Sequence, residues 1–478
     1  MRRFIKFFCK TVQIVFLLCS FSSVANCKVR PASLFVDGMV LQQKSNVCIW
    51  GWAEAGTTVS VKSSWDKKEY HCQSGNDGRW KLSVKTPAAD GKSYELVISD
   101  GEPLVIRNVV MGEVWLASGQ SNMEMPLRGW PKFPLAGSSR YIKEAENYKD
   151  RLRFVRVPHN PSLKPVDRLE VRWQICDSTT AKDFSAIGYF FGRMLSDKLN
   201  CPVGIICCTF SGTHVEAWTP EDVLQTYPDI NLRPDYLEML IPAAQPMVMY
   251  NGMIHPLIGY TLKGFIWYQG EADVSAYDKY ALRLSNMVKA WRSAWNDTKL
   301  PFLFVELAPY RYVGLARNRA PRLRDAQWQV ADKLPNASMI CTNDLVNPEE
   351  SNNIHPSDKI DVGMRLSWLA LNKVYRQKSF HADYPRFQKM KIDGESVTLS
   401  FCNIKDGFAP VNTVVGFEIC GTDNIYHPAT AHIKGNQIVV SSGKVAHPKA
   451  VQYAYKDFFP GNVKSRSGMP LVPFTTVR

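Results

Sequence analysis

Neither a CxxC pair nor a cysteine–histidine cluster at zinc-ligand spacing occurs in this chain, so nothing in it reads as a structural metal site. Past the N-terminus no apolar run approaches the roughly 20 residues that a membrane-spanning helix needs, which excludes an integral membrane span. The formal charge is +14, yet the lysines and arginines are scattered and make no long basic run. That argues against a nucleic-acid partner and for a solvated surface. Internal repeats and low-complexity tracts are missing as well. The composition, 45% hydrophobic and 21% charged, is that of an ordinary globular protein.

What is present begins with an export signal. "MRRFIK" is a basic segment, "TVQIVFLLCSF" a short apolar one, and "SSVA" puts small residues before a cut after Ala25. Residues 1–25 therefore read as a signal peptide, and the chain as secreted or periplasmic. Asn26 is a poor residue before a lipidated cysteine, so a lipid-anchored surface form through Cys27 is the lesser reading. Export permits disulfides. Cys48 with Cys72, and Cys402 with Cys420, each fall within one β-rich region and are candidates to bridge neighbouring strands. Cys207 and Cys208 sit in an apolar run and read as buried thiols.

A length of 478 residues exceeds one ordinary core. Residues 29–108 and 385–478 read as all-β, with short runs such as "RWKLSVKT", "SYELVISD", "SVTLSF" and "QIVVSS" separated by turn signals. Between them, 109–375 has another rhythm. "EVWLAS", "VGIICCT", "GFIWYQ", "FLFVELA" and "ASMICT" are short, mostly apolar runs, as strands buried on both faces are. Amphipathic stretches alternate with them, one with apolar residues at Tyr277, Tyr280, Leu284, Val288 and Trp291. This alternation predicts a parallel sheet with helices on both faces.

Ligands of such sheets bind beyond the carboxyl ends of the strands, and the polar signals fall there. Ser121 follows "EVWLAS", "FSGTHVEAW" follows "VGIICCT", "QGEAD" follows "GFIWY", and "NNIHPSDK" opens the last helix after "ASMICT". Singly, Gly212 reads as a turn glycine, Gln269-Gly270-Glu271 as a helix cap and His355 as a structural histidine. Together they match acyl transfer. Ser121 is the nucleophile and His355 the base that takes its proton. The backbone N–H of Ser121, that of Gly212 and the side-chain amide of Gln269 are the candidate oxyanion donors. This chemistry requires no metal and no organic cofactor.

Five stretches, "GEVWLASGQSNMEMPL", "GTHVEAWTP", "YNGMIHPLIGYTLKGFIWYQGEADV", "NIHPSDKIDVGMRLSWLAL" and "GFEICGTDNIYHPATAHIKGNQIVVSS", carry a resemblance to the sialate O-acetylesterase family of SGNH-type serine hydrolases. It runs from about Pro31 to the C-terminus. The resemblance implies an α/β fold, a doubly wound parallel-sheet SGNH-hydrolase domain flanked by N- and C-terminal β-sandwich regions. It implies an enzyme that removes O-acetyl groups from a sugar or glycan, sialic acid first among them, through a serine acetyl-enzyme. The family's nucleophile falls on Ser121, its histidine on His355, its turn glycine on Gly212 (Ser211 stands where many relatives carry a first glycine) and its amide donor on Gln269. Asn251, in "YNGM", shapes the pocket on this reading.

One departure stands out. The wider hydrolase class often carries an acid three residues before the histidine, and here that position is Asn352. An amide does not stabilise an imidazolium as a carboxylate does. Three outcomes stay open: a Ser–His dyad with Asn352 as a possible orienting group, an acid such as Asp344 or Glu349 reaching in, or a weak enzyme. Acetylated xylan or pectin is an alternative substrate, and an inactive sugar-binding scaffold the alternative of another class. A carboxylated sugar would call for a pocket arginine, for which Arg128 and Arg311 are candidates.

Overall fold

The structure is a computed structural model, described over residues 28–314 and 318–477. The expected signal peptide and Cys27 lie outside the described residues. The central feature is a parallel sheet of β1 (Pro103–Gly119), β2 (Leu152–Arg156), β3 (Val203–Thr209), β4 (Gly264–Tyr268), β5 (Phe302–Val305) and β6 (Ala337–Ile340). Their order is β2-β3-β1-β4-β5-β6, with a short antiparallel strand, Gln174–Ile175, on the β2 edge. Every residue of β3, β4 and β5 is buried, which is why these runs carry no polar alternation. The chain runs from β1 out to β2, returns to β3, then passes across β1 to β4. A crevice opens where the order reverses, and the end of β1 lies at that point.

Five helices matter for the site: α1 (Ser121–Glu124), α2 (Ala186–Leu199), α3 (Tyr277–Ala294), α4 (Arg319–Lys333) and α5 (Ile360–Lys373). Ser185 caps α2 by accepting from the Gly188 N–H at 3.0 Å. Helix α2 packs on α5, and α3 on α4. Alternation along the strands shows which face each pair covers. Trp115 of β1 lies edge-on to Phe191 of α2. Phe265 and Trp267 of β4 both pack edge-on against Trp291 of α3. Trp115 is paired with Gly264, so Phe265 and Trp267 point to the opposite face. Helices thus cover both faces. Gly363 lets α5 close on α2, since a Cβ there would sit 2.6 Å from that of Phe190.

The N-terminal β region is two antiparallel sheets. One holds Arg30–Pro31, Asn46–Trp52 and Arg79–Lys85; the other joins Glu69–Gln73, Thr58–Ser63 and Tyr94–Ser99 to the start of β1. The 17-residue β1 then continues, without a break, into the centre of the parallel sheet. The boundary expected between 108 and 109 falls inside this strand. Val47, Ile49, Val61 and Ile98 belong to one core cluster with Trp115 and Phe265. The C-terminal region is a sandwich of two four-stranded antiparallel sheets. It has its own core around Leu399, Ile419, Val440 and Val451. It docks through Arg324, whose guanidinium donates to the Lys456 and Asp457 carbonyls at 2.9 Å, and through Lys464–Asp344 at 2.7 Å.

The expected strand-bridging disulfides are absent. Cys48, Cys72, Cys402 and Cys420 are free thiols, as are all nine described cysteines. Cys48 pairs with Ser83 and Cys72 with Val59, in different sheets. No helix among the described residues is long and apolar enough to cross a membrane.

Gly119, the last residue of β1, has φ +127°, and a Cβ there would run into the Tyr268 carbonyl. Gly119→Ala is expected to cost about 2–4 kcal/mol through strain and overpacking. A lowered thermal midpoint by circular dichroism would show it, and an unchanged one would contradict the close packing at this strand end.

Candidate active site

Ser121 begins the one-turn helix α1 directly after β1 and is mostly buried, 8% exposed. The turn before it is set by Gln120, whose N–H donates to the Tyr268 carbonyl at 3.0 Å. Gly212 lies in the turn after β3 with φ +74°, where glycine is favoured. That turn is fastened to α1: Phe210 N–H donates to the Gly119 carbonyl at 3.0 Å and Ser211 Oγ donates to Glu124 at 2.8 Å. Among the described residues, the N–H groups of Ser121 and Gly212 donate to no protein acceptor. They are among the unspent backbone donors of the serine and Gly212 turns.

Gln269 is placed differently from the sequence expectation. It is fully buried, and its Nε2 donates to the Thr213 carbonyl at 2.9 Å and to Asp273 at about the same depth in the core, while Tyr280 donates to its Oε1 at 2.9 Å. Both amide hydrogens are spent. The side chain holds the Gly212 turn against the end of β4 instead of presenting a donor to solvent. Asp273 also accepts from the Val215 N–H at 3.0 Å and pairs with His214 at 3.0 Å, raising the pKa of that histidine. His214, Glu216 and Asp273 place ligand atoms within 4.8 Å of one another, but the Arg283 guanidinium already pairs with Glu216 and supplies the positive charge there.

His355 sits half-buried between the edges of Trp130 and Phe133, with ring centroids 5.0 and 4.8 Å away. Burial, followed by the positive charge of Lys359, pushes its pKa down to about 4. Its Nδ1 is buried and makes no hydrogen bond. No hydrogen bond joins Ser121 Oγ to the imidazole in this structure. The two loops are nevertheless stitched together one residue away. Asn122 Nδ2 donates to the Ile354 carbonyl at 3.0 Å and to Glu271, and Asn122 Oδ1 accepts from Lys359 Nζ at 2.9 Å. Lys359 Nζ also donates to the Pro356 carbonyl at 2.6 Å.

Lys359 is only 1% exposed, and desolvation brings its pKa down to about 8 against the pull of Glu271, Asp358 and Glu350. Burial likewise raises the Glu271 pKa, and Glu271 Oε2 has no partner. In the sequence Asn122 and Lys359 carry no expected role and Glu271 only a helix-capping one, although all three stand inside the quoted motifs, within four residues of Ser121, His355 and Gln269.

The candidate orienting groups fare unevenly. Asn352 is exposed and its side chain makes no hydrogen bond, whereas Asn353 Oδ1 accepts from the His355 N–H at 2.9 Å. Asp344 is turned away, held by Arg365 at 2.7 and 2.8 Å and by Lys464. Glu349 is exposed. Asn251 is buried and donates to the Leu163 carbonyl at 3.0 Å, supporting a neighbouring loop. Arg128 pairs with Asp183, and the exposed Arg311 donates its N–H to the Ser351 carbonyl beside the histidine loop. Next to α1 a hollow of about 780 Å³ is lined by Arg156, Arg172 and His159 and by the carboxylates of Glu124, Glu170 and Asp183. Among the described residues neither Arg156 nor Arg172 makes an ion pair, whereas His159 pairs with Glu124 at 2.9 Å.

Comparison with known proteins places the chain among carbohydrate esterases. A family model described as a carbohydrate esterase, sialic acid-specific acetylesterase, matches residues 111–372. The chain is 27% identical to rat sialate O-acetylesterase over 447 residues, 80% of each chain. It is 27% identical to the human sialate O-acetylesterase, covering 76% of this chain and 74% of that one. Among solved structures, a carbohydrate acetylesterase from Xanthomonas citri superposes with a TM-score of 0.84 at 32% identity, covering 94% of this chain and 99% of that chain.

The burial of His355 has a direct readout. Its ring is expected to titrate near pH 4, below the usual imidazole range, so it is neutral through the physiological range. A ring-proton NMR titration checks this, and a midpoint at or above about 6.5 would contradict the desolvated site.

Proposed function

This chain belongs to the sialic acid-specific acetylesterase family of carbohydrate esterases, and from that premise we propose that it hydrolyses O-acetyl esters of sialic acid through an acetyl-enzyme on Ser121. The observation that carries the reading is the Asn122 stitch, which binds the serine loop to the backbone of the histidine loop. Nucleophile and base thereby share one anchorage at the crevice where the strand order reverses. The sheet order and the two helix-covered faces support a doubly wound, SGNH-type hydrolase domain. The "MRRFIK…SSVA" segment supports export.

The chemistry runs in two halves. Ser121 Oγ attacks the acetyl carbonyl carbon while His355 takes the hydroxyl proton. The carbonyl oxygen becomes an oxyanion, and the unspent N–H groups of Ser121 and Gly212 receive it. Gln269 contributes by holding the Gly212 turn in place. The C–O bond to the sugar then breaks, and the sugar oxygen leaves with the proton from His355. In the second half His355 takes a proton from water, the hydroxide oxygen attacks the acetyl carbon, and acetate leaves as Oγ regains its proton. With Asn352 exposed and Asp344 spent on Arg365, the pair works as a dyad. A neutral His355 is ready to accept a proton at any pH above about 4.

The unpaired Arg156 and Arg172 beside α1 suit a sugar that carries a carboxylate, as sialic acid does. A neutral polysaccharide acetyl ester is the second reading. It rests on the 32% identity to the Xanthomonas citri carbohydrate acetylesterase.

Acetate release from 9-O-acetylated sialic acid and acetylated xylan, measured in parallel, separates these readings. Wild type is expected to turn over the sialic acid ester faster, and Ser121→Ala to lose at least about 10³-fold in kcat. Faster release from xylan would move the assignment to the second reading. No release from either by the folded protein, together with no labelling of Ser121 by a serine-reactive phosphonate, would indicate a scaffold. Asn352→Ala should stay within about threefold of wild type in kcat/KM, because its side chain touches nothing at the site. A loss as large as that of Ser121→Ala would refute the dyad.

A further inference from the structure

A serine hydrolase histidine has to be held in one orientation, and here the ring lacks the usual means. Nδ1 is buried with no partner, Asn352 points to solvent, and Asp344 is committed elsewhere. What the structure offers instead is a grip on the backbone. Resting on the dyad reading above, we propose that Asn122 and Lys359, with Glu271 behind them, are positioning residues that orient His355 through its flanking carbonyls and so replace the ring-bonded acid.

The geometry is specific. The carbonyl before His355, of Ile354, accepts from Asn122 Nδ2 at 3.0 Å. The same peptide unit is held at its other end, where the His355 N–H donates to Asn353 at 2.9 Å. The carbonyl after His355, of Pro356, accepts from Lys359 Nζ at 2.6 Å. Pro356 has no N–H to donate and disfavours the helical region for the residue before it, His355. The two gripping side chains are bonded to each other at 2.9 Å. The backbone is thus tethered on both sides of His355, whose ring lies between Trp130 and Phe133.

The grip is also closed on itself. All three polar valences of Asn122 in use are internal: two donated, to Ile354 and Glu271, and one accepted from Lys359. Glu271 and Lys359 do not pair directly; Asn122 lies between a buried carboxylate and a buried ammonium and joins them. The residue immediately after Ser121 therefore connects the nucleophile to the base, so a shift in one loop is passed to the other.

The test uses the full chain and p-nitrophenyl acetate, with thermal melts for every variant. Lys359→Met and Asn122→Ala are each expected to lower kcat by roughly 30- to 1000-fold while KM stays within about threefold. Lys359→Met removes the charge that depresses the His355 pKa, so the acid limb of its kcat/KM profile should move upward. Asn122→Ala keeps that charge and should leave the limb in place. The limb shift reports the Lys359 charge, and a kcat loss at unchanged KM in the folded Asn122→Ala variant, whose limb stays in place, is what a merely structural role would not produce. If Lys359→Met does not fold, Asn122→Ala decides alone; failure of both to fold overturns the proposal, because the grip would then be holding the core. A folded variant with kcat within threefold of wild type, or a loss carried by KM, also overturns it. Ser121→Ala in the same assay keeps the two readings apart: if it stays active the dyad itself fails, and if it is dead while both grip variants are active, only this inference fails.

Discussion

A buried ammonium has to be fed hydrogen bonds, and Lys359 is almost completely withdrawn from water. Leaving such a charge unpaired costs several kcal/mol even after relaxation. The groups that satisfy it are Asn122 Oδ1 and the Pro356 carbonyl, and these belong to the loops that carry Ser121 and His355. The requirement that Lys359 be solvated by protein thus fixes the distance between the serine and histidine loops. The neighbouring carboxylate of Glu271 offsets the same charge through Asn122, at the expense of its own raised pKa. A local electrostatic constraint, more than any direct Ser–His contact, defines the site.

That constraint operates only because β1 delivers Ser121 to a rigid place. β1 is paired along its course except at a bulge over Arg107 and Asn108, first with Tyr94–Ser99, then with Val40–Gln42, finally with β3 and β4. Its N-terminal half is anchored in the β region and its C-terminal end in the centre of the parallel sheet. Gly119 then permits the sharp departure from the strand against the Tyr268 backbone. The N-terminal region is therefore part of what steadies the strand end that carries Ser121. The C-terminal sandwich has its own core and reaches the central domain through Arg324, Asp325, Asp332 and Asp344 and through Met469 and Val472, which join the main core.

Much of this was legible in the sequence for a simple physical reason. Apolar runs such as "VGIICCT" are buried on both faces, so their lack of alternation is itself the signal of a parallel core. The polar residues at their ends then fall where such sheets bind ligands, which brought out Ser121, Gly212 and His355. What was hidden depends on direction and pairing. Pattern gives β1 its strand character but not the change of partner halfway along, so a boundary placed at 108/109 cut through it. Gln269 is at the right strand end, but only coordinates show its amide turned inward to Thr213 and Asp273. Cys48 and Cys72 share a region and not a sheet. Lys359 and Glu271 look like surface residues to any composition-based reading, because their burial is produced by partners more than 80 residues away in the chain.

The charge balance of the site has a consequence for how a dyad can work. Lys359 and burial both disfavour a protonated His355, so the resting enzyme holds a neutral imidazole ready to accept a proton but a weak base. A carboxylate on Nδ1 would strengthen that base by stabilising the imidazolium. Without one, the compensating negative charge has to arise in the reaction itself. In the mechanism proposed above, the oxyanion forms beside the N–H groups of Ser121 and Gly212 in the same step in which His355 takes the Oγ proton. In a site of low polarity the two new charges attract each other more strongly than they would in water. The imidazolium is then stabilised where the tetrahedral species exists and not in the resting enzyme. That is an interaction stronger in the transition state than in the ground state, which is the kind that accelerates a reaction. It acts only while the ring stays aimed at the serine. An orientation fixed through the backbone is thus worth more here than in a site where a ring-bonded acid would do both tasks.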